Sequence, residues 1–89
     1  MLTVKSTKQF KKDLKTCKSQ GLDMQQLKDV IEKLKNGEPL DEKHRDHGLS
    51  GNWNGWRDCH IAPDWVLIYQ VDGDGLRLAR TGSHAKLFG

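Results

Sequence analysis

Titratable side chains cluster beside the most hydrophobic segment of the sequence. The stretch RDCHIAPDWVLIY carries three of them on two strand-like runs that meet at a Pro-Asp turn: Asp58, His60 and Asp64. Two more histidines, His47 and His84, lie in the long loop and just past the last strand-like run. Neighbouring strands of a sheet lie about 4.8 Å apart, so strand ends and turns can bring such residues together. We therefore expect His47, His60, Asp64 and His84 to form one cluster.

A cluster of this composition can do two kinds of chemistry. Histidine has an unperturbed pKa of about 6.5, so it can act as general acid or general base near neutral pH. Three histidines and one aspartate are also plausible ligands of zinc or manganese. No H-x-x-x-H spacing is present, which favours acid–base chemistry. A structural alternative exists for each residue: a histidine at a strand end is usually a surface residue, and an aspartate after Pro63 is a common turn former.

The N-terminal part of the sequence predicts a strand followed by a helix. Leu2 and Val4 alternate with polar residues, as in a short strand. Ser6 and Gln9 have the spacing of a capping box, so we expect a helix to start near residue 7 and to end at Gly21.

A second helix should follow the first and pair with it as a short antiparallel hairpin. Asp23 can cap its start, and Asn36-Gly37 can end it. Both helices have apolar residues at helical spacing: Phe10, Leu14 and Cys17 in the first, and Met24, Leu27, Val30, Ile31 and Leu34 in the second.

The C-terminal part changes to a strand pattern after a long loop. Residues 37–52 show no sustained period, and Asp72-Gly73-Asp74-Gly75 is a strong hairpin signal. Strands are expected over residues 56–61, 65–71 and 76–81, with a polar-aromatic tail over 83–89. The predicted order is β-α-α-β-β-β, an α+β fold with two helices on one face of a small, mainly antiparallel sheet.

Length and composition indicate one small domain, spanning residues 1–89. Charged residues make up 30% and hydrophobic residues 35% of the chain, which is typical of a folded globular domain. The longest unbroken apolar run, Trp65 to Tyr69, is too short to cross a bilayer, and no signal peptide is visible at the N-terminus. Two cysteines without a C-x-x-C pair provide neither a disulfide framework nor a zinc motif, so we expect a cytoplasmic protein.

Positive charge is concentrated at the start of the chain. Residues 1–36 hold nine lysines against four acidic residues, a local charge of +5, whereas residues 37–89 sum to −2. The first helix alone carries five lysines: Lys8, Lys11, Lys12, Lys15 and Lys18. Such a surface suggests a polyanion partner such as RNA, and the alternative is a solvated helix face.

Three segments of the C-terminal half resemble one family of proteins. They are DHGLSGNW, RDCHIAPDW and RTGSHAKLFG, with the patterns DH-x-L-x-G-x-W, R-D-x-H-I-x-P-D-W and R-x-G-[ST]-H-x-x-L-F. These patterns resemble the YafQ group within the RelE/ParE superfamily of bacterial type II toxins. The match runs from Pro39 to the C-terminus without a gap, and residues 3–36 match mainly by pattern.

The resemblance implies an mRNA interferase with a RelE-like fold, an endoribonuclease that cuts messenger RNA in the ribosomal A site. The family's active-site positions carry over to five residues: His47, His60, Asp64, His84 and Phe88. Arg80 matches the basic residue that precedes the last motif.

The chemistry of RNA cleavage gives these residues roles. We expect His84 to be the general acid and either His60 or Asp64 to be the general base for attack by the 2′-OH, with no metal or cofactor. His47 and Arg80 would steady the phosphate, and Phe88 would stack on a base. Ribosomal RNA would contact the lysine helix through Lys8, Lys11, Lys12 and Lys15.

The resemblance also implies partners: the ribosome with its 16S rRNA, an mRNA substrate, and an acidic antitoxin in a complex of two toxin and two antitoxin chains. Two other functions stay open at this point. One is an RNA-binding module without catalysis, which would use the lysine helix and Trp53, Trp56 and Trp65; the other is a metal-dependent nuclease.

Overall fold

The computed structural model describes residues 1–89 and contains three helices and five strands. The strands are β1 (Thr3–Ser6), β2 (His47–Gly48), β3 (Arg57–Ala62), β4 (Trp65–Asp72) and β5 (Gly75–Gly82), and the helices are α1 (Lys8–Ser19), α2 (Met24–Lys35) and α3 (His84–Phe88). The strands form one sheet in the order β1-β5-β4-β3-β2. All neighbours in it are antiparallel except β1 and β5. The predicted α+β fold, with two helices on a mainly antiparallel sheet, is confirmed.

Two short elements were absent from the predicted order. The loop expected over residues 37–52 contains the two-residue strand β2 and a 3-10 turn at Glu42–His44, and a second 3-10 turn follows at Gly51–Trp53. The tail expected over residues 83–89 contains α3 instead. Neither strand β2 nor helix α3 is long enough to show a hydrophobic period, so pattern alone could not identify them.

The central strand β4 is buried on both faces, which explains its continuous apolar run. On one face, Leu67 and Tyr69 belong to a core that also includes Phe10 of α1 and Leu27 of α2. On the other face, Val66 and Ile68 pack with Leu87 of α3, and the segment that carries Leu49, Trp53 and Trp56 covers this second cluster. The sheet therefore has a helical face, covered by α1 and α2, and a second face covered by α3 and loop residues.

Helix α1 begins at a different cap from the one predicted. The side-chain oxygen of Thr7 accepts the backbone N–H of Phe10 at 3.0 Å, and the Thr7 hydroxyl donates to the Ala79 carbonyl at 2.8 Å. Thr7, and not Ser6, is the N-cap residue, because it bonds both the helix and strand β5. The predicted cap of α2 is confirmed, since an Asp23 carboxylate oxygen accepts from the backbone of Gln25 at 3.0 Å.

None of the three helices has the length and apolar character that a membrane span requires.

Candidate active site

Two predicted site residues meet where β3 and α3 approach each other. His60 pairs with Val66 in the register of β3 and β4, so it belongs to the second face of the sheet. His84 is the first residue of α3, and its ring centroid lies 6.4 Å from that of His60. One helical turn later, Phe88 places its ring 4.8 Å from the His84 ring. The short helix α3 therefore carries a histidine and an aromatic ring to the end of the sheet.

His47 joins this group through the short strand β2. It pairs with Asp58 across β2 and β3, so both residues occupy neighbouring sites on the sheet. Its Nδ1 lies 2.8 Å from the backbone carbonyl of Arg45 and 3.0 Å from Oδ1 of Asp58. A carbonyl oxygen can only accept, so the contact with Arg45 requires a proton on Nδ1. The neutral ring then has an unprotonated Nε2, which is a proton acceptor.

Asp58 is the buried centre of the histidine cluster. Only 1% of the residue is exposed, and its Oδ1 has no aligned hydrogen-bond donor, because the Nδ1 proton of His47 points to the Arg45 carbonyl. Burial raises the pKa of the Asp58 carboxyl, and the positive charges that His47, His60 and His84 can carry act in the opposite direction. The cluster therefore places one buried carboxyl group beside three imidazole rings.

Asp64 lies at the turn between β3 and β4 and contacts His84 through the backbone. Its Oδ1 accepts the His84 N–H at 3.3 Å, and the neighbouring Ser83 side chain accepts the Lys86 N–H at 3.2 Å. Both side chains thus satisfy free donors at the start of α3. Asp64 is exposed, and its side chain fixes the backbone of His84.

Arg80 is engaged by a buried carboxylate from helix α1. Its Nε and one terminal nitrogen donate to the two oxygens of Asp13 at 3.0 and 3.2 Å, and the Thr81 N–H also donates to Asp13. Burial raises the pKa of the Asp13 carboxyl, but hydrogen bonds from Arg80, Gln9 and Thr81 outweigh burial and lower it overall. Arg80 therefore ties α1 to β5, and much of its charge is neutralised before any ligand arrives.

The lysines proposed to contact RNA, Lys8, Lys11, Lys12 and Lys15, are exposed on α1.

Two further contacts hold the segment before and around His47. Tyr69 donates its hydroxyl to Oδ1 of Asp46 at 2.6 Å, and Arg57 donates to the same oxygen at 3.2 Å. Burial raises the pKa of Tyr69, so this hydroxyl remains a donor at neutral pH. His44, which is buried, places its Nδ1 2.6 Å from the backbone carbonyl of His60. Both neighbours of Arg45 are therefore anchored.

A sequence model described as a bacterial toxin of type II toxin-antitoxin system, YafQ, matches residues 2–89. The chain belongs to the YafQ toxin family. Similarity extends beyond the three motifs, because the match also covers the helical N-terminal part.

YafQ relatives with known names and structures are similar along most of this chain. The mRNA interferase toxin YafQ of Escherichia coli K12 is 45% identical over 82 residues, which cover 91% of this chain and 89% of that protein. The crystal structure of YafQ from E. coli BL21(DE3) has a TM-score of 0.95 at 40% identity, with 100% of both chains covered. YafQ in the crystal structure of the E. coli DinJ-YafQ toxin-antitoxin complex has a TM-score of 0.90 at 42% identity, covering 99% of this chain and 98% of that one.

Membership of the YafQ family confirms the sequence-based identification as a type II toxin. The enzyme class is confirmed with it, since the E. coli relative is an mRNA interferase, an endoribonuclease. Four predicted site residues of this YafQ-family chain have neighbours in the cluster. His47 lies beside Asp58, and the ring of His84 lies beside the rings of His60 and Phe88.

Asp58 was not among the predicted site residues, although the sequence contained a signal for it. Strand alternation places Asp58 and His60 two residues apart on one face of β3. The alternation of Asp58 with His60 on this strand therefore indicated that the carboxyl group would lie beside the candidate histidine. No group of three or more His, Cys, Asp or Glu side chains has the arrangement of a metal site.

Proposed function

We propose that this protein is a ribosome-dependent endoribonuclease that cleaves messenger RNA in the ribosomal A site. The observation that supports this most directly is the histidine cluster around buried Asp58, because it combines a proton acceptor, a proton donor and a compensating charge on one surface. The name of the E. coli relative supplies the substrate class, messenger RNA.

The reaction follows from the nucleophile that RNA itself carries. A base removes the proton of the 2′-OH, the 2′-oxygen forms a bond to the adjacent phosphorus, and the bond to the 5′-oxygen breaks as an acid protonates it. The products are a 2′,3′-cyclic phosphate and a 5′-OH. We assign the base to His60 and the acid to His84, whose ring centroids are 6.4 Å apart.

The other residues support this pair. Asp64 was the second candidate for the base, but its Oδ1 accepts the backbone N–H of His84, which favours a positioning role. Asp58 stabilises whichever imidazole is protonated, and the free Nε2 of His47 contacts the phosphate when it is protonated. Phe88, held against His84, stacks on an unpaired base next to the cleaved bond. Arg80 acts through Asp13 and fixes the end of strand β5.

The lysines of α1 bind ribosomal RNA in this proposal. They lie on the helix that packs on the opposite face of the sheet from the histidine cluster, so they can grip RNA without occupying the site. Binding to the ribosome then orients the message for in-line attack, which supplies much of the rate. We further propose a cytoplasmic location, where translation takes place.

An acidic antitoxin is the expected partner. The E. coli DinJ-YafQ complex contains a related toxin with its antitoxin, and a small basic domain is suited to an acidic segment that becomes ordered on binding. We propose that this chain binds such a protein in a complex of two toxin and two antitoxin chains.

The decisive experiment maps cleavage and product ends in a purified translation system. We expect cuts in a translated message only when ribosomes are present, with 5′-OH ends and with unchanged rates when dialysed protein is tested with Mg²⁺ restored for the ribosomes. Cuts with 5′-phosphate ends would support the metal-dependent alternative. Ribosome binding without any cut would support the non-catalytic module.

A further inference from the structure

A cavity next to His60 has no role in the chemistry described above. It has a volume of about 560 Å³ and lies between α2 and the segment that carries Lys43 and Arg45, along the edge of β3. The apolar part of its wall consists of Ile61, Ala62 and Pro63. His60, the proposed base, is one of its lining residues.

Arg45 is the one arginine of this chain without an ion pair. The other three are engaged by carboxylates: Arg57 by Asp46, Arg77 by Asp72, and Arg80 by Asp13. Arg45 is exposed and lines the cavity next to His60. Its guanidinium is therefore the strongest free hydrogen-bond donor for an anion at this end of the sheet.

The charge of the cavity wall is entirely positive or neutral. Lys43 and Arg45 line it, together with His44 and His60, and no acidic side chain does. A neighbouring cavity of about 430 Å³ shares Lys43 and His44 but is bordered by Asp29, Glu32 and Asp41. An anionic ligand is thus favoured in the cavity beside His60 and repelled by the carboxylates of the next one.

The backbone at Arg45 connects this cavity to the catalytic histidines. Arg45 has a φ of +46°, a left-handed conformation that is uncommon outside glycine. In this conformation its carbonyl accepts the Nδ1 proton of His47, while the preceding His44 donates to the carbonyl of His60. The contacts of His44 and His47 thus fix the backbone from which the Arg45 side chain extends.

We propose that this cavity is a subsite for a backbone phosphate of the RNA strand, next to the phosphate that is cleaved, with Arg45 as its principal ligand and Lys43 as a second cation. This inference rests on the proposed ribonuclease function. The planar guanidinium matches two phosphate oxygens, and the apolar wall at Ala62 and Pro63 contacts the adjoining ribose. Arg45 thereby supplies the free cation that Arg80, neutralised by Asp13, does not.

The test uses RNA that binds but lacks the nucleophile. A short, fully 2′-O-methylated RNA is titrated to millimolar concentration into the purified protein at several salt concentrations, and binding is followed by NMR. The variants are Arg45→Gln, Lys43→Gln and Arg45→Lys, and the matched control is Arg77→Gln, at the distant end of β5. A second RNA carries a neutral methylphosphonate at one linkage, which is moved along the strand, and inorganic phosphate is titrated separately.

We expect Arg45→Gln to weaken binding about fivefold or more and to reduce the salt slope by about one, with Arg45→Lys between it and the unchanged protein. One methylphosphonate position should weaken binding to the unchanged protein but not to Arg45→Gln, which identifies the contacted phosphate. Arg77→Gln should bind like the unchanged protein.

The subsite is refuted if RNA shifts no resonance of the cavity residues, or if Arg45→Gln and Arg77→Gln bind RNA equally well. Inorganic phosphate that binds as tightly as the RNA would show a free-anion site and would also refute it. Cleavage is measured separately from binding. If Arg45 is coupled to one phosphate but the protein cuts no message, the subsite is supported and the proposed function fails.

Discussion

Two buried aspartates should respond to the same substitution with opposite signs. Asp58 and Asp13 are each 1% exposed, but Asp13 is held by Arg80 and the Thr81 N–H, whereas Oδ1 of Asp58 has no hydrogen-bond donor. Asparagine has nearly the same shape as aspartate, but it removes the charge and replaces one accepting oxygen with a donating NH2 group. We expect Asp58→Asn to stabilise the protein at neutral pH and Asp13→Asn to destabilise it.

The magnitudes follow from what each carboxylate contacts. A buried polar group without its partner costs about 1–3 kcal/mol, so Asp58→Asn should raise the free energy of unfolding by about 1–2 kcal/mol. For a domain of this length this corresponds to a rise in Tm of roughly 4–16 °C. Breaking a buried ion pair costs about 3–5 kcal/mol, but the Arg80 side chain is 23% exposed, so a loss of about 2–3 kcal/mol is expected for Asp13→Asn.

The pH dependence separates charge from packing. Burial raises the pKa of Asp58 in the folded protein, so the wild-type free energy of unfolding falls as pH rises from the unfolded value of about 3.9 through the folded one. The advantage of Asp58→Asn should therefore be present at pH 7 and should vanish in acid. The pKa of Asp13 is lowered in the folded protein, so its carboxylate stabilises the fold when the pH is above the pKa of the unfolded state. This stabilisation is lost as the pH falls through the pKa of the folded state. The deficit of Asp13→Asn should accordingly shrink in strong acid.

Activity gives an independent result for the same variants. Asp58→Asn removes the negative charge that, in the proposed mechanism, compensates a protonated histidine in the transition state, so cleavage should slow by roughly 10- to 100-fold although the fold is more stable. Urea unfolding from pH 3 to pH 8 and single-turnover cleavage on ribosomes measure the two effects. An Asp58→Asn protein that is less stable than the wild type at pH 7, or whose stability difference does not change with pH, would show that this carboxylate is a structural partner and not a buried charge held for catalysis.

Three other changes test the remaining assignments. His84→Ala should reduce cleavage by at least about 100-fold. Because His84 is exposed, the same change should alter the free energy of unfolding by less than about 0.5 kcal/mol, and a large drop in Tm would instead show a structural role. Lys11, Lys12 and Lys15 replaced together by Glu should weaken ribosome association most at low salt and make it less dependent on salt, whereas the α2 control Lys28→Glu with Lys35→Glu should not. Efficient cleavage of naked RNA by the wild type would contradict the ribosome requirement. Co-expression with the neighbouring open reading frame, followed by size-exclusion chromatography, should yield a stable complex with an acidic protein and should remove toxicity. If the protein is harmless when expressed alone and no acidic protein co-purifies, the proposal of an antitoxin partner fails.

The elements with a clear period could be predicted from sequence, and those without one could not. β4 was identifiable because five consecutive apolar residues, Trp65–Tyr69, are buried on the two faces of the sheet. The turn after Asp72 was identifiable because glycine at residue 73 allows a positive φ. By contrast, β2 has two residues and α3 has five, and both form because tertiary contacts hold them. The predicted cap at Ser6 was wrong because Thr7, one residue later, also bonds strand β5.

The site was predictable as a set of residue types but not as a set of partners. His60 and His84 are 24 residues apart in the sequence numbering, and their proximity was expected from their positions at strand ends. The engagement of Arg80 by Asp13 was not, because these residues are 67 positions apart and Asp13 lies on a helix rich in lysine. Helical spacing puts Asp13 on the buried face of α1 with Phe10 and Cys17, but no local pattern shows that its partner is Arg80.

Few free cations lie at the proposed catalytic surface before RNA arrives. Three of the four arginines are neutralised by carboxylates, and Asp58 lies among the histidines. The lysines of α1 lie across the sheet from this surface. Near the proposed site of cleavage the free cations are Arg45 and Lys43, whereas α1 offers a larger positive surface of five lysines. We therefore expect cleavage to require a larger RNA assembly that binds α1 and presents the strand to the histidines, and we expect an acidic partner that covers α1 to block that binding without contacting the histidine cluster.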